Sequence, residues 1–247
     1  MKTPKIMLCV LLLFIGCNRG NNLTFEPNSV VDKACSDCPE IELIIPRAMN
    51  KTKLARKINT TLEEELINLL VFDEEIAASS LTEAVNSFKN GFQEMKARYP
   101  DESEIWEAKI KGELIYESKN ILTFVINSYL FTGGAHGYTN RTYLNFDKRK
   151  GNELEIWELF DEKERFEHFA EIKFRIQEGI AQDDPINSTG FMFENDAFYL
   201  PENIGFTKDG LVLLYNQYEV ASYADGVIEL TIPFNEVENY LSRRIKP

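Results

Sequence analysis

Three groups of residues in this chain have the type and spacing to do chemistry. The first is Gly16-Cys17, preceded by Lys2, Lys5 and the apolar run Ile6 to Ile15. A basic start, a short apolar stretch and a small residue before cysteine are the parts of a bacterial lipoprotein export signal. The apolar run is far shorter than the roughly 20 residues that cross a bilayer core. The expected events are cleavage after residue 16, diacylglycerol transfer to the Cys17 thiol and acylation of its freed amine. Two or more acyl chains then hold the protein on a membrane, facing the periplasm or the exterior. The second group is Cys35-Ser36-Asp37-Cys38, the cysteines left once Cys9 departs with the leader and Cys17 carries lipid. In an oxidising envelope a Cys35–Cys38 disulfide is the default. The spacing also resembles a redox pair, but that motif belongs at a strand-to-helix junction and this one lies in a polar stretch. The third group is the hexapeptide Thr132-Gly133-Gly134-Ala135-His136-Gly137. Its three glycines free the backbone to take positive φ and let another chain or a ligand come close. His136 is then either a hydrogen-bonding or titrating contact for a partner, or part of a glycine-bulged hairpin whose imidazole bonds a neighbouring carbonyl.

Other chemistries have less to work with. His136 and His168 are the two histidines, so a zinc site lacks ligands and a nucleophile triad has few ways to assemble. No Gly-x-Ser-x-Gly elbow and no phosphate loop is present. Forty acidic residues make close carboxylate pairs unavoidable, so their presence says nothing about glycosidase chemistry. The expectation is a protein without catalytic residues, metal or cofactor. The formal charge of −13 argues against nucleic acid, whose phosphates would be repelled, and suits a basic partner. Among Tyr199, Tyr215, Tyr218 and Tyr223, which could face sugar rings or anchor a protein interface, the turn-flanked Tyr218-Glu219 and Tyr223-Ala224-Asp225-Gly226 are the surface candidates. The candidate binding residues are therefore Gly133, Gly134, His136, Gly137, Tyr218, Glu219, Tyr223 and Asp225.

The elements that must position these residues are legible as periodicities. Residues 18–39 read as a polar tether, and the fold begins at a strand Ile41 to Ile45 closed by Pro46. Leu54, Ile58, Leu62, Leu66, Leu69 and Leu70 predict a helix over 52–71. Leu81, Ala84, Val85, Phe88, Phe92 and Met95 predict a second, capped by Ser79 or Ser80. From Trp106 the period becomes two: Ala108, Ile110, Gly112, Leu114 and Tyr116 face one way, Glu107, Lys109, Lys111 and Glu113 the other. Strands at 122–131, apolar on both faces and so central, and at 138–146 complete a meander. A short turn at 156–160 and a long helix at 161–182 follow, the latter burying Phe166, Phe169, Ile172, Ile176 and Ile180. Strands near 204–207, 211–215 and 227–232 and a short helix from Pro233 to Leu241 end the chain. Strand runs broken by helix runs make this α+β, with antiparallel sheets packed against helices in two small, intimately joined domains.

Several blocks together resemble a known pair of bacterial envelope domains. These are Tyr129-Leu130-Phe131 with the hexapeptide after it, Asn145-Phe146-Asp147 with Gly151, Leu154 and Leu159-Phe160, and Phe206-Thr207-Lys208-Asp209-Gly210-Leu211. The last block continues through Tyr218 to Gly226 and on to Ile232-Pro233-Phe234. The chain is similar to proteins carrying a PdaC-type (DUF4163-type) domain followed by DUF3298, the latter also found outside the cell in anti-sigma factors that sense lysozyme. The resemblance implies residues 1–16 as leader, 17–40 as tether, 41–140 as the PdaC-like domain and 141–247 as the DUF3298-like domain. It also implies a noncatalytic binding or sensing role toward a cell-wall component or a secreted basic protein such as lysozyme. The alternative is a hydrolase or accessory factor acting on peptidoglycan. No deacetylase domain follows Pro247 and no sigma-binding segment precedes Cys17, so neither deacetylation nor direct sigma-factor control is expected. If Cys17 carries the lipid, Cys17→Ala releases the protein from the membrane fraction on cell fractionation; retention of that variant would contradict the lipid anchor.

Overall fold

The first helix forms where leucine and isoleucine recur every fourth residue, and that stripe decides which face it buries. In the computed structural model, which describes residues 23–33, 35, 37–72, 78–100 and 104–246, α1 (Lys53–Leu70) buries Leu54, Ile58, Leu62, Leu66 and Leu70. The leader, Cys17 and the start of the tether lie outside the described residues. The Thr52 hydroxyl caps α1 by accepting from the Ala55 N–H at 3.1 Å. α2 (Leu81–Arg98) starts at Ser80, whose hydroxyl accepts from the Glu83 N–H, while the Glu83 carboxylate accepts from the Ser79 N–H at 2.7 Å. Its buried side carries Ala84, Val85, Phe88 and Phe92.

Both helices cover one face of a five-stranded sheet in the spatial order β1 (Phe25–Asp32), β2 (Glu40–Ala48), β3 (Glu107–Glu117), β4 (Ile121–Phe131), β5 (Tyr138–Asp147). β2 and β3, joined through the two helices, run parallel; every other neighbour is antiparallel. β4, flanked on both sides, sends Leu122, Phe124 and Ile126 toward the helices and Val125 to the opposite face, the two-sided burial expected of a central strand.

Five expectations need correction. Residues 25–32 are not tether but the edge strand β1, paired with β2 from Phe25–Ala48 to Asp32–Ile41. An edge strand with no fully buried residue gives a polar sequence, which is why it reads as a loop. Its far end is pinned by the Asp32–Lys89 ion pair to α2, and the following turn by Asp37–Lys96. β2 also runs on through Pro46. Pro46 lies opposite Pro27 of the edge strand and past the end of the β3 pairing at Ile44, settings where a missing N–H removes no ladder bond. In β3 a register shift between Leu114 and Tyr116 breaks the alternation. Leu114 stays with the helices, but Tyr116 turns to the other domain, against Phe206 and Phe234.

The fourth correction concerns the long helix, α4 (Lys163–Glu178), which follows the short α3 (Ile156–Leu159). It buries Phe166, Ala170 and Phe174, leaving Ile172 and Ile176 exposed. At ~100° per residue Ile172 sits roughly 160° from the centre of that stripe. The helix stops at Gly179, whose φ of 67° makes the left-handed cap. α4 packs on a three-stranded antiparallel sheet of β6 (Asn203–Phe206), β7 (Leu211–Tyr215) and β8 (Ile228–Ile232), closed by α5 (Phe234–Val237), for which Pro233 is the N-cap and not the first helical residue.

The two domains meet where β5 ends the first sheet. Its outer edge would leave backbone groups of Arg141 and Tyr143 unpaired, and side-chain amides of the second domain bond them instead. Asn203 accepts from the Tyr143 N–H at 2.8 Å and donates to the Arg141 carbonyl at 2.9 Å. Asn216 accepts from the Arg141 N–H and donates to the same carbonyl, each at 3.0 Å. Buried Asn145 donates to the Ile204 carbonyl at 2.6 Å and accepts from the Thr123 hydroxyl at 2.8 Å. Val125 and Tyr143 pack on Val212 and Leu214 beside these bonds. Replacing Asn145 with alanine strands a buried hydroxyl and a carbonyl, so Asn145→Ala is expected to lose about 2 kcal/mol of stability in urea unfolding. A loss below a few tenths would contradict the joint.

Candidate functional site

The β4–β5 hairpin carries the glycine loop, and each glycine has a local reason. Gly133 and Gly134 take φ of 97° and 92°, and a Cβ on Gly137 would lie 2.4 Å from the Tyr129 ring. This path holds His136 at the surface, where a ring nitrogen lies 3.2 Å from the Gly137 carbonyl and is assigned as the N–H donor to it. The other side of the imidazole stacks on Tyr223 of the second domain, with centroids 4.4 Å apart and planes 21° from parallel. Tyr218 lies 5.5 Å from Tyr223, so the hairpin loop and the 218–225 segment form one patch.

Tyr218 is presented under strain. Its φ of 69° is rare for a bulky residue, and the side chain remains 56% exposed. The surrounding loop is over-determined: the Glu219 carboxylate accepts from the Asn216 N–H at 2.8 Å, and the Tyr199 hydroxyl donates to the Glu219 carbonyl. The buried Tyr215 hydroxyl donates to the Tyr199 carbonyl at 2.6 Å. Asp225 likewise turns inward, accepting from the Ser222 hydroxyl at 2.6 Å and from its N–H. Glu219 and Asp225 thus hold their own loops. The partly enclosed setting of Glu219 raises its pKa from the ordinary carboxylate value, although the Asn216 N–H opposes this.

Below the patch opens a cleft of about 650 Å³ lined by Tyr138 and Asn140 of β5 and by Tyr199, Glu202, Gln217 and Tyr218 of the second domain. It adjoins a second cavity of about 460 Å³, which shares Leu200 and Glu202 with it and reaches Tyr143, Glu153, Glu155 and Trp157. Both volumes fall within the ~300–1,000 Å³ typical of small-molecule sites. Trp157, on the same wall, is 66% exposed. Glu153 stands at the cavity wall with water access, yet crowding by protein and then the carboxylates of Glu155, Glu65 and Glu64 push its pKa up to about 7. Crowding raises Glu65 of α1 as well, against a bond from Thr142. Lys163 is the cation on this wall.

The structure therefore unites Gly133, Gly134, His136 and Gly137 with Tyr218 and Tyr223 and puts Glu219 and Asp225 in support. Cys35 and Cys38 are joined in a disulfide, Cα atoms 5.3 Å apart, in the turn between β1 and β2. His168 is exposed on α4, and Tyr215 belongs to the core. Among the described residues no three His, Cys, Asp or Glu side chains converge to hold a metal, and no helix is long and apolar enough to cross a membrane. Sequence reasoning missed the cleft residues Tyr138, Glu153, Trp157 and Glu202. A tryptophan beside three glutamates in Glu153-Leu154-Glu155-Ile156-Trp157-Glu158 is the local signal that could have found one wall.

Comparison with known proteins places two family domains on this frame. The family described as "Deacetylase PdaC" matches residues 33–139, and the "Protein of unknown function (DUF3298)" family matches residues 157–235. Over 120 residues, 47% of the chain, the sequence is 26% identical to the peptidoglycan-N-acetylmuramic acid deacetylase PdaC of Bacillus subtilis. That stretch spans 25% of the deacetylase's length. A crystal structure of a DUF3298 family member from Bacteroides fragilis shares the fold with a TM-score of 0.70 at 21% identity, covering 91% of this chain and 96% of that one. A DUF3298 family protein from Pseudomonas aeruginosa does so with a TM-score of 0.65 at 19% identity, covering 92% and 96%.

The raised Glu153 pKa has a measurable sign. Because the fold favours the protonated form, Glu153 contributes stability below its ordinary pKa of 4.5, and that contribution is lost as pH rises through about 7. Glu153→Gln mimics the protonated state, so its melting temperature should rise relative to wild type between pH 4 and pH 8. A difference that stays flat with pH would contradict the assignment.

Proposed function

We propose that this chain, which carries a PdaC-type domain followed by a DUF3298 domain, is a lipid-anchored cell-envelope protein that binds or senses a cell-wall component without acting on it chemically. The observation that carries this reading is the convergence of the His136–Tyr223 stack and strained Tyr218 at the head of a tyrosine-lined cleft between the domains. Flat aromatic faces beside amide and carboxylate groups are what sugar rings need: apolar C–H faces stack, and hydroxyls exchange hydrogen bonds. The cell-wall setting rests on the 26% match to a peptidoglycan deacetylase and on the export signal at Cys17. The noncatalytic assignment rests on the groups present at the patch. His136 stacks on a tyrosine and bonds its neighbour's carbonyl, and the adjacent carboxylates of Glu219 and Asp225 bond backbone N–H groups.

A second reading is favoured by charge. The chain carries −13 overall, and Glu153, Glu155, Glu202 and Glu219 line the cleft against Lys163, which suits a secreted basic protein such as lysozyme. One experiment separates the readings: retention of the protein by insoluble peptidoglycan and by immobilised lysozyme, each at low and high salt. Wall binding predicts retention that survives salt and falls roughly tenfold in Tyr218→Ala and in Tyr223→Ala. Lysozyme recognition predicts the lysozyme arm alone, weakening with salt. Retention by neither, or turnover of wall fragments with release of acetate or reducing ends, would overturn the proposal.

A further inference from the structure

The start of β1 fixes where the chain leaves the fold toward Cys17. Just before that strand the Thr24 carbonyl accepts from the Met49 N–H at 2.9 Å, and the Thr24 N–H donates to the Asn50 side chain at 2.8 Å. Thr24 stands seven residues after Cys17, at most ~25 Å of extended chain. The loop that holds this exit is basic. Between Glu42 and Glu63 the sequence has no acid and carries Arg47, Lys51, Lys53, Arg56 and Lys57. The first four are exposed, and none of them has an ion-pair partner among the described residues. Lys53 and Arg56 lie in the first turn of α1, which holds no acid and where the helix dipole is already positive. Arg47, Lys51 and Arg56 line a cavity of about 630 Å³ against the acid Glu26, the residue opposite Arg47 in the β1–β2 ladder.

The sheet gathers more positive charge at this end. β2, β3 and β5 all run toward it, so the turns carrying Lys119 and Lys150 lie there too, and the Lys57 ammonium donates to the Lys150 carbonyl at 3.1 Å. The acids that follow this last turn, Glu153 and Glu155, line the cavity between the domains. The glycine hairpin is at the opposite end of the strands, since Phe131 pairs with Glu107 and Glu107 with Glu40 at the start of β2. From Glu40 to Ala48 the strand spans roughly 26 Å.

Resting on the lipid-anchor reading above, we propose that the basic end is a docking surface for anionic phospholipid headgroups of the membrane that holds Cys17. Docking there turns the His136–Tyr223 patch away from the bilayer. Two independent observations select this occupant: the chain exits toward its lipid from the same loop that carries the cations, and the charge of that loop is opposite to that of a protein carrying −13 overall. Headgroup attraction fades within about a Debye length, ~8 Å at physiological salt. A leash reaching to residue 40 would let the body drift far beyond that range, whereas one ending at Thr24 keeps the basic loop close to the surface. The acidic remainder is repelled by the same headgroups, so attraction and repulsion favour one orientation.

The test is co-sedimentation of the chain from Asn18 onward, which lacks the lipid and keeps every described residue, with vesicles of phosphatidylcholine alone and of phosphatidylcholine with one-third phosphatidylglycerol, at low and high salt. The expected result is association with the anionic vesicles alone, lost at high salt and weakened about fivefold for each charge removed in Lys51→Gln and Arg56→Gln. Arg98→Gln, in the last turn of α2 at the hairpin end, should leave association unchanged. Hydrogen exchange of the vesicle-bound chain should slow at 47–56 and stay unaltered at 132–137. Equal association with both vesicles, a loss in Arg98→Gln as large as in Lys51→Gln, or protection at 132–137 in place of 47–56 would overturn the docking surface. Those outcomes leave the lipid anchor standing, because fractionation of Cys17→Ala reads it separately; if wild type and Cys17→Ala both fractionate as soluble, the anchor fails and the docking surface with it. Retention by insoluble peptidoglycan that falls in Lys51→Gln, without association to anionic vesicles, would overturn the proposal in favour of a wall polymer.

Discussion

A sheet that ends in an open edge must satisfy the backbone groups it exposes, and in this protein the side-chain amides of Asn203 and Asn216 meet that demand. Asn203 and Asn216 bond both polar groups of Arg141 and the Tyr143 N–H, while Asn145 reaches the Ile204 carbonyl from the opposite side. An amide is suited to this task because it presents a donor and an acceptor at one spacing, as a backbone does. The consequence is a fixed relation between the β5 edge and the loops that precede β6 and follow β7. The close fit extends to Gly205, where an added Cβ would fall 2.4 Å from the Tyr143 ring. The chain's end adds to the same joint: the Asn120 amide donates to the Lys246 carbonyl, and Arg149 to that of Arg244.

Everything at the candidate site follows from that joint. His136 belongs to one domain and Tyr223 to the other, so their stack exists only if the edge of β5 is held in place. The cleft walls divide in the same way, Tyr138 and Asn140 on the first domain and Tyr199, Glu202 and Tyr218 on the second. Asn203 and Asn216 both bond β5 and line the cleft floor, so the residues that join the domains also shape the site. A site assembled from two domains can also serve in sensing, because a ligand that spans the joint would stabilise one relation between them.

What was legible in the sequence was local. The leucine stripe of α1, the period-two run of β3 and the glycine hexapeptide are each short-range patterns, and each corresponds to an element of the structure at or near the expected bounds. The misreadings share a cause, since each depends on a neighbour that sequence spacing does not reveal. β1 is a strand because β2 pairs with it; Tyr116 changes face because β4 imposes a bulge; Ile172 and Ile176 are exposed because Phe174 claims the core side of α4. The site behaves likewise. Its aromatic residues were nameable from turn context, but their meeting across 87 positions between His136 and Tyr223 was not, nor was the approach of Glu153 to Glu65. Asn145-Phe146-Asp147 reads as a motif, and its amide, its buried ring and its turn-forming carboxylate, which accepts from the Arg149 N–H, show the motif serving the fold.

The central claim is that the cleft between the domains is where the ligand sits. Hydrogen–deuterium exchange of the whole protein with and without soluble peptidoglycan fragments tests it most directly. Slowed exchange concentrated in 132–143, 153–157, 199–203 and 216–226, on both sides of the β5 joint, is the predicted result. Protection confined to the outer faces of α1 and α2, or unchanged exchange at saturating fragment, would contradict it.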